Sequence, residues 1–265
     1  MLDKFSTFQL GGLLRLIVSG GGKWLKRILN VSAGTAVSAN RQLTYVKPRG
    51  KRQELPGEEE GPSPSHPDCT IVFLLGPPGA GKGTQSAFLR AAVPGLTHLS
   101  YGDLVRYQDG IPGSWVSSLP RRGEGSSSPV VPADAAGRLL GETIMAGAAS
   151  HGQRLWLVDG FPRTAPHVAA WAAAGMPPAR LALRLVCPPE TLIRRVLSRA
   201  SETAGRPDDA NPALVRERVE RNEREADALV SALVDAGVPV VEVNADRDLE
   251  DVKREVLAHF QVGVF

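Results

Sequence analysis

Five short, almost wholly apolar runs separated by stretches of helical periodicity predict an α/β fold for this chain, with a doubly wound, parallel, five-stranded sheet. Three observations carry that expectation. The runs at 71–75, 96–99, 155–158, 181–186 and 238–243 are short and mostly apolar, as strands covered on both faces are. Between and after them, segments 82–93, 133–149, 189–200, 212–236 and 249–260 carry helical patterns. The first run also passes through a glycine-rich stretch straight into a helical segment, the strand–loop–helix order of an α/β domain.

The 265 residues suffice for one such domain and something more. The surplus lies at the N-terminal end. Residues 1–53 hold ten Lys/Arg and a single acid, Asp3, a net of +9, whereas the remainder carries 21 bases against 27 acids, a net of −6. The basic overall balance therefore belongs to an extension, and the mildly acidic body argues against nucleic-acid binding by the folded part. Within the extension Leu10, Leu13, Leu14 and Ile17 follow one helical face, Gly20-Gly21-Gly22 breaks it, and Lys23, Lys26 and Arg27 follow. An amphipathic, basic, acid-poor segment is the signature of a transit peptide. A solvated basic tail and a membrane-surface helix stay open beside it. The first reading implies a mitochondrial location, the tail a cytoplasmic one. Residues 54–68 (ELPGEEEGPSPSHPD) are rich in proline, glycine and acids and read as a flexible linker, so the body is expected to span 69–265. Cys69 and Cys187 are far apart and form no C-x-x-C pair, which supports neither a zinc site nor a disulfide scaffold. No apolar run reaches the roughly 18–20 residues of a membrane-spanning helix.

The chemistry-bearing stretch is Gly76-Pro77-Pro78-Gly79-Ala80-Gly81-Lys82-Gly83-Thr84. Glycines let successive backbone N–H groups turn inward on a phosphate, and the following helix presents its positive end to the same anion. Lys82 adds a point charge for terminal phosphates, and Thr84 a hydroxyl for Mg²⁺. Gly76, Gly79, Ala80, Gly81, Lys82, Gly83 and Thr84 thus form a candidate ATP site of the P-loop kind. The hydroxyl comes one residue later than in the general pattern, because Gly83 directly follows the lysine. Asp159 stands at the end of the third run and is placed to hold Mg²⁺ or its waters from a strand's carboxyl end. Asp103 is placed to cap or charge-stabilise a helix start.

The Lys-Gly-Thr ending of GPPGAGKGT resembles the adenylate kinase family, which includes adenylate and UMP/CMP kinases. Three further stretches resemble it in the same order: HLSYGDLVR (98–106), DGFPRT (159–164) and ETLIRRVLSR followed by AGRPDD (190–209). The resemblance covers about residues 70–262. It implies a P-loop fold with a monophosphate-binding insert, here 101–154, and a short zinc-free lid, here 200–210. It also implies transfer of the γ-phosphoryl of ATP to a nucleoside monophosphate, with Mg²⁺ as cofactor, by a monomer. By the same resemblance Arg106 binds the monophosphate, with Ser100, Tyr101, Val131, Gly160 and His167 around the acceptor. Arg163 bridges donor and acceptor phosphates, and Arg195 stacks on the donor adenine. Arg199, Arg206 and Arg218 reach the phosphates from the lid side. Arginine suits these places because its planar fork binds phosphate bidentately and stays charged.

The chain departs from the family pattern at identifiable places. Tyr101 replaces a small residue or threonine, and His167 stands where adenylate kinases have a base-reading glutamine, which leaves AMP against UMP or CMP open as acceptor. Cys187-Pro188 and Asp246-Arg247 lean toward UMP/CMP kinases. Segment 107–128 is Gly/Ser-rich and looser than the family's helical insert. One extra residue separates the acid pair from Arg218, which makes Arg218 a weaker candidate than Arg199 and Arg206. These departures motivate a second expectation, an ATP-binding regulator of weak activity.

Overall fold

A computed structural model describes residues 45–46, 68–121, 129–202 and 207–265. Apart from the backbone of 45–46, the basic extension and the linker up to residue 67 lie outside the described residues, as does Arg206. The elements run β1 (Tyr45–Val46), β2 (Thr70–Leu75), α1 (Lys82–Ala92), β3 (Leu96–Ser100), α2 (Tyr101–Asp109), α3 (Ala133–His151), β4 (Leu155–Asp159), α4 (Ala165–Ala173), β5 (Leu181–Val186), α5 (Pro189–Glu202), α6 (Pro212–Asp235), β6 (Val240–Asn244) and α7 (Leu249–Val264). Short 3₁₀ turns occupy Val116–Ser118 and Pro207–Ala210.

The five expected strands form the parallel sheet, in the order β6-β5-β2-β4-β3. Two-residue β1 adds a sixth strand, antiparallel at the β6 edge, which the apolar runs did not announce. β2 shows why the sheet needs cover on both faces. Ile71, Phe73 and Leu75 enter one apolar cluster, while Val72 and Leu74 enter another on the opposite face. The first cluster draws Leu139, Leu140 and Ile144 from α3, Trp171 from α4 and Leu229 and Leu233 from α6. The second draws Leu89 from α1, Leu192 from α5, and Val252, Val256 and Phe260 from α7. The chain leaves β2 toward β3 and leaves β5 toward β6, in opposite directions. A crevice opens at the strands' carboxyl ends where such connections diverge.

Strand boundaries differ from expectation by one or two residues. β3 and β4 each extend one residue further, onto Ser100 and Asp159. The run at 238–243 begins its strand only at Val240, because the end of α6 claims Val238. Gly237 takes the left-handed conformation (φ 77°), and the Val238 N–H closes back on the Leu233 carbonyl. α2 and α4 are additional helices of nine residues each. The 107–121 part of the loose segment is anchored. Val116 is fully buried, Arg121 pairs with Asp109 at 2.8 Å, and Arg121 bridges to Pro129. Residues 122–128 lie outside the described residues. The expected lid at 200–210 starts inside α5, which continues to Glu202. Among the described residues no helix is long and apolar enough to cross a membrane.

The close approach of α3 to α4 depends on Gly137, where an added Cβ would lie 2.6 Å from the Ala170 carbonyl oxygen. Overpacking a helix crossing costs about 1–3 kcal/mol. Gly137→Ala is expected to lower the unfolding free energy by that amount in urea titrations, with an unchanged denaturant slope.

Candidate active site

The first wall of the crevice is the glycine-rich loop after β2. Gly79 has φ 85°, and a Cβ there would meet the Leu192 carbonyl oxygen at 2.5 Å, so glycine is required by both conformation and packing against α5. No side chain caps α1 at Gly81, and Lys82, Gly83 and Thr84 of its first turn line the cavity. The Lys82 Nζ donates to the carbonyls of Gly76 (2.8 Å) and Pro77 (3.0 Å), which holds the ammonium across the loop. The whole expected set, Gly76, Gly79, Ala80, Gly81, Lys82, Gly83 and Thr84, lines one cavity.

The second wall comes from the ends of β3 and β4. Asp159 pairs in register with Leu74 on one side and Ser100 on the other, so it sits beside the loop. It is buried, with Oδ2 3.5 Å from His98 Nε2, and its Oδ1 has no hydrogen-bond partner. The start of α2 is capped by the Ser100 hydroxyl, which accepts the Asp103 N–H at 3.3 Å. Of the two roles open to Asp103, capping thus falls to Ser100, and charge stabilisation of the helix start stays with Asp103. The Asp103 carboxylate sits in the first helical turn and ion-pairs with Arg106.

Arg106 and Arg163 converge above Gly102. A Cβ at Gly102 would find Arg106 Nη1 at 3.3 Å and Arg163 Nη2 at 3.7 Å. Arg163 is tethered by its Nε donating to the Gly160 carbonyl at 2.9 Å. Beside this pair Tyr101 is buried, its ring edge-on to Phe161 (5.6 Å) and to His167 (6.4 Å). His167 Nδ1 shares a 2.8 Å hydrogen bond with the Thr164 hydroxyl. Ser100, Tyr101, Val131, Gly160 and His167 all line the same cavity as the loop.

The third wall belongs to α5 and α6. Asp209, fully buried in the turn before α6, accepts from Arg199 at 2.5 Å and from Arg218 at 2.8 Å. Burial works against ionisation of this carboxyl, but hydrogen bonds and charge from Arg218 and Arg199 outweigh it and hold the pKa below the usual carboxylate value. The extra residue before Arg218 does not remove it from the site. The α6 N-cap, Asn211, accepts from Ala213 and Leu214, and from that start Arg218 reaches the same carboxylate as Arg199. Arg195 lies toward the far edge, donating to the Ala245 carbonyl at 3.1 Å and contacting Cys187 Sγ at 3.7 Å. Burial pushes the Cys187 thiol up despite the charge of Arg195.

The cavity has a volume of about 910 Å³. Nine Lys or Arg side chains against four carboxylates line it among the described residues, although the body as a whole is acidic. Four participants were not among the expected site residues. Gln85 is buried on α1 with an Oε1 that lacks a partner, and His98 reaches Asp159 from β3. Arg184 enters from β5, paired with Glu242 of β6, and Asp209 organises two arginines. Gln85 and Asp209 had one available signal, their places directly after Thr84 and in the acid pair following the lid arginine.

A family profile described as an AAA domain matches residues 75–216. An adenylate kinase of Parasynechococcus marenigrum is 35% identical over 191 residues, covering 70% of this chain and 95% of the relative. Adenylate kinase 1 of Drosophila melanogaster is 30% identical over 217 residues, covering 80% and 89%. UMP-CMP kinase 3 of Arabidopsis thaliana is 32% identical over 194 residues, covering 72% and 89%.

The shared carboxylate makes a pH-dependent prediction. A hydrogen bond to a charged group is worth roughly 1.5–3 kcal/mol, and Asp209→Asn is expected to cost about that at pH 7. The folded carboxyl titrates below its unfolded value of about 3.9. Its contribution is therefore complete above that pH and vanishes as pH falls through the folded value. Urea titrations of both proteins from pH 7 down to pH 3 should show the gap closing only below about pH 4.

Proposed function

Since the chain belongs to the adenylate kinase family of nucleoside monophosphate kinases, we propose that it transfers the γ-phosphoryl of ATP to AMP or to UMP/CMP, giving ADP and the diphosphate. The single observation that carries this reading is the joining of two anion-binding clusters in one cavity. The loop with Lys82 forms one, the converging Arg106 and Arg163 form the other, and Asp159 lies between their supporting strands.

In this reading 69–265 is the catalytic body, with 101–154 cradling the acceptor and 200–210 acting as the lid. The loop residues and Lys82 hold the donor phosphates, and Arg195 lies against the donor base. Arg106 and Arg163 take the acceptor phosphate, with Tyr101, Val131 and His167 at its base. Arg199, Arg218 and Arg206 close over the transferred group, Arg206 from the segment outside the described residues. An oxygen of the acceptor phosphate forms the new bond to the γ-phosphorus as the bridging oxygen departs with ADP. That oxygen is already anionic, so no general base is required, and positioning plus charge neutralisation do the work. Water competes as acceptor, which gives arginines from a closing lid their purpose.

The donor set fits Mg²⁺. Asp159 presents a buried carboxylate oxygen with no partner and Thr84 is exposed on the same cavity, and Mg²⁺ takes only one or two protein carboxylates beside phosphates and waters. Bound there, the ion would neutralise charge on the donor phosphates.

A coupled assay with AMP, UMP, CMP and GMP tests the reading. Turnover is expected with at least one of the first three, and Lys82→Met should lower kcat by about 10²–10³. ATP binding without transfer to any acceptor would support the weakly active regulator instead.

A further inference from the structure

We propose that Tyr101 is a positioning residue that holds the Arg163 guanidinium by its ring face, an inference that rests on the kinase reading above. The guanidinium carbon of Arg163 lies 4.8 Å from the Tyr101 ring centroid. The ring is itself immobilised, being almost wholly buried and edge-on to both Phe161 and His167. Among its contacts, Arg163 donates its Nε to the Gly160 carbonyl and sets its guanidinium over an aromatic ring.

The arrangement answers an electrostatic difficulty. Arg106 and Arg163 point their guanidinium groups at one place above Gly102, where like charges repel. Asp103 ion-pairs with Arg106. The negative face of an aromatic ring attracts a guanidinium. Tyr101 therefore helps to hold Arg163 in place beside Arg106. A small residue at 101 would supply no such face, so the bulky side chain is part of the phosphate machinery as well as a wall of the acceptor site.

Steady-state kinetics of the full chain test this. Tyr101→Phe keeps the ring face and is expected to lose less kcat than Tyr101→Leu. Tyr101→Leu removes it and should lower kcat about two- to fivefold, the size of an exposed cation–π contact, with KM for ATP unchanged. Should Tyr101→Leu fail to fold, pentafluorophenylalanine at position 101 preserves the shape but reverses the ring's charge distribution, and the same loss is expected. In an Arg163→Met background, both ring replacements should cost less than twofold. Equal losses in the two backgrounds, or full activity with the fluorinated ring, overturn the positioning role while leaving the kinase reading intact. A wild-type chain inactive with every monophosphate overturns both.

Discussion

Cationic groups crowded into one cavity repel one another, and a pair of unit charges 4 Å apart at a protein surface is worth about 4 kcal/mol. Several contacts of this site answer that repulsion. Asp209 stands between Arg199 and Arg218, Asp103 beside Arg106, Glu217 beside Arg221 and Glu242 beside Arg184. Lys82 rests on loop carbonyls, and Arg163 on a carbonyl and a ring. Each partner neutralises a cation without burying it, so the side chains still line the cavity. A polyanionic ligand meets donors already aimed, with little reorganisation left for the reacting complex.

The sheet makes this crowding achievable. Parallel strands bring their carboxyl ends to one edge, and the register sets Leu74, Asp159 and Ser100 side by side. Apolar clusters on both faces fix that register, because a slip by one residue would turn Phe73 or Leu74 to the wrong layer. Glycine then allows the close approaches, Gly79 to the α5 backbone and Gly102 to two guanidinium groups.

The strands and the phosphate loop were legible because their signals are local. A buried parallel strand is a short apolar run, and a phosphate loop is a glycine pattern between a strand and a helix. The helices α2 and α4 were harder to read. α2 carries a nine-residue pattern begun by a serine cap, and α4 is alanine-rich with little polar contrast between its faces. Asp103 was open to capping and to charge stabilisation because an acid near a helix start serves either role, and which oxygen meets the N–H depends on where β3 stops. Arg218 looked displaced because residue counting ignores how a turn absorbs an insertion before Asn211 caps the helix.

Residue order and type were therefore enough for the fold class, the loop that grips phosphate and the strand-end carboxylate beside it, since each is complete within about ten residues. The sharing of Asp209 by two arginines, the capture of Arg163 by the Tyr101 ring, the orphaned oxygen of Asp159 and the entry of Arg184 appear only once the chain is folded. Their strength depends on separations of a few ångströms between side chains on different helices, strands and loops. Linear spacing does not encode those separations. Packing of the two apolar layers does.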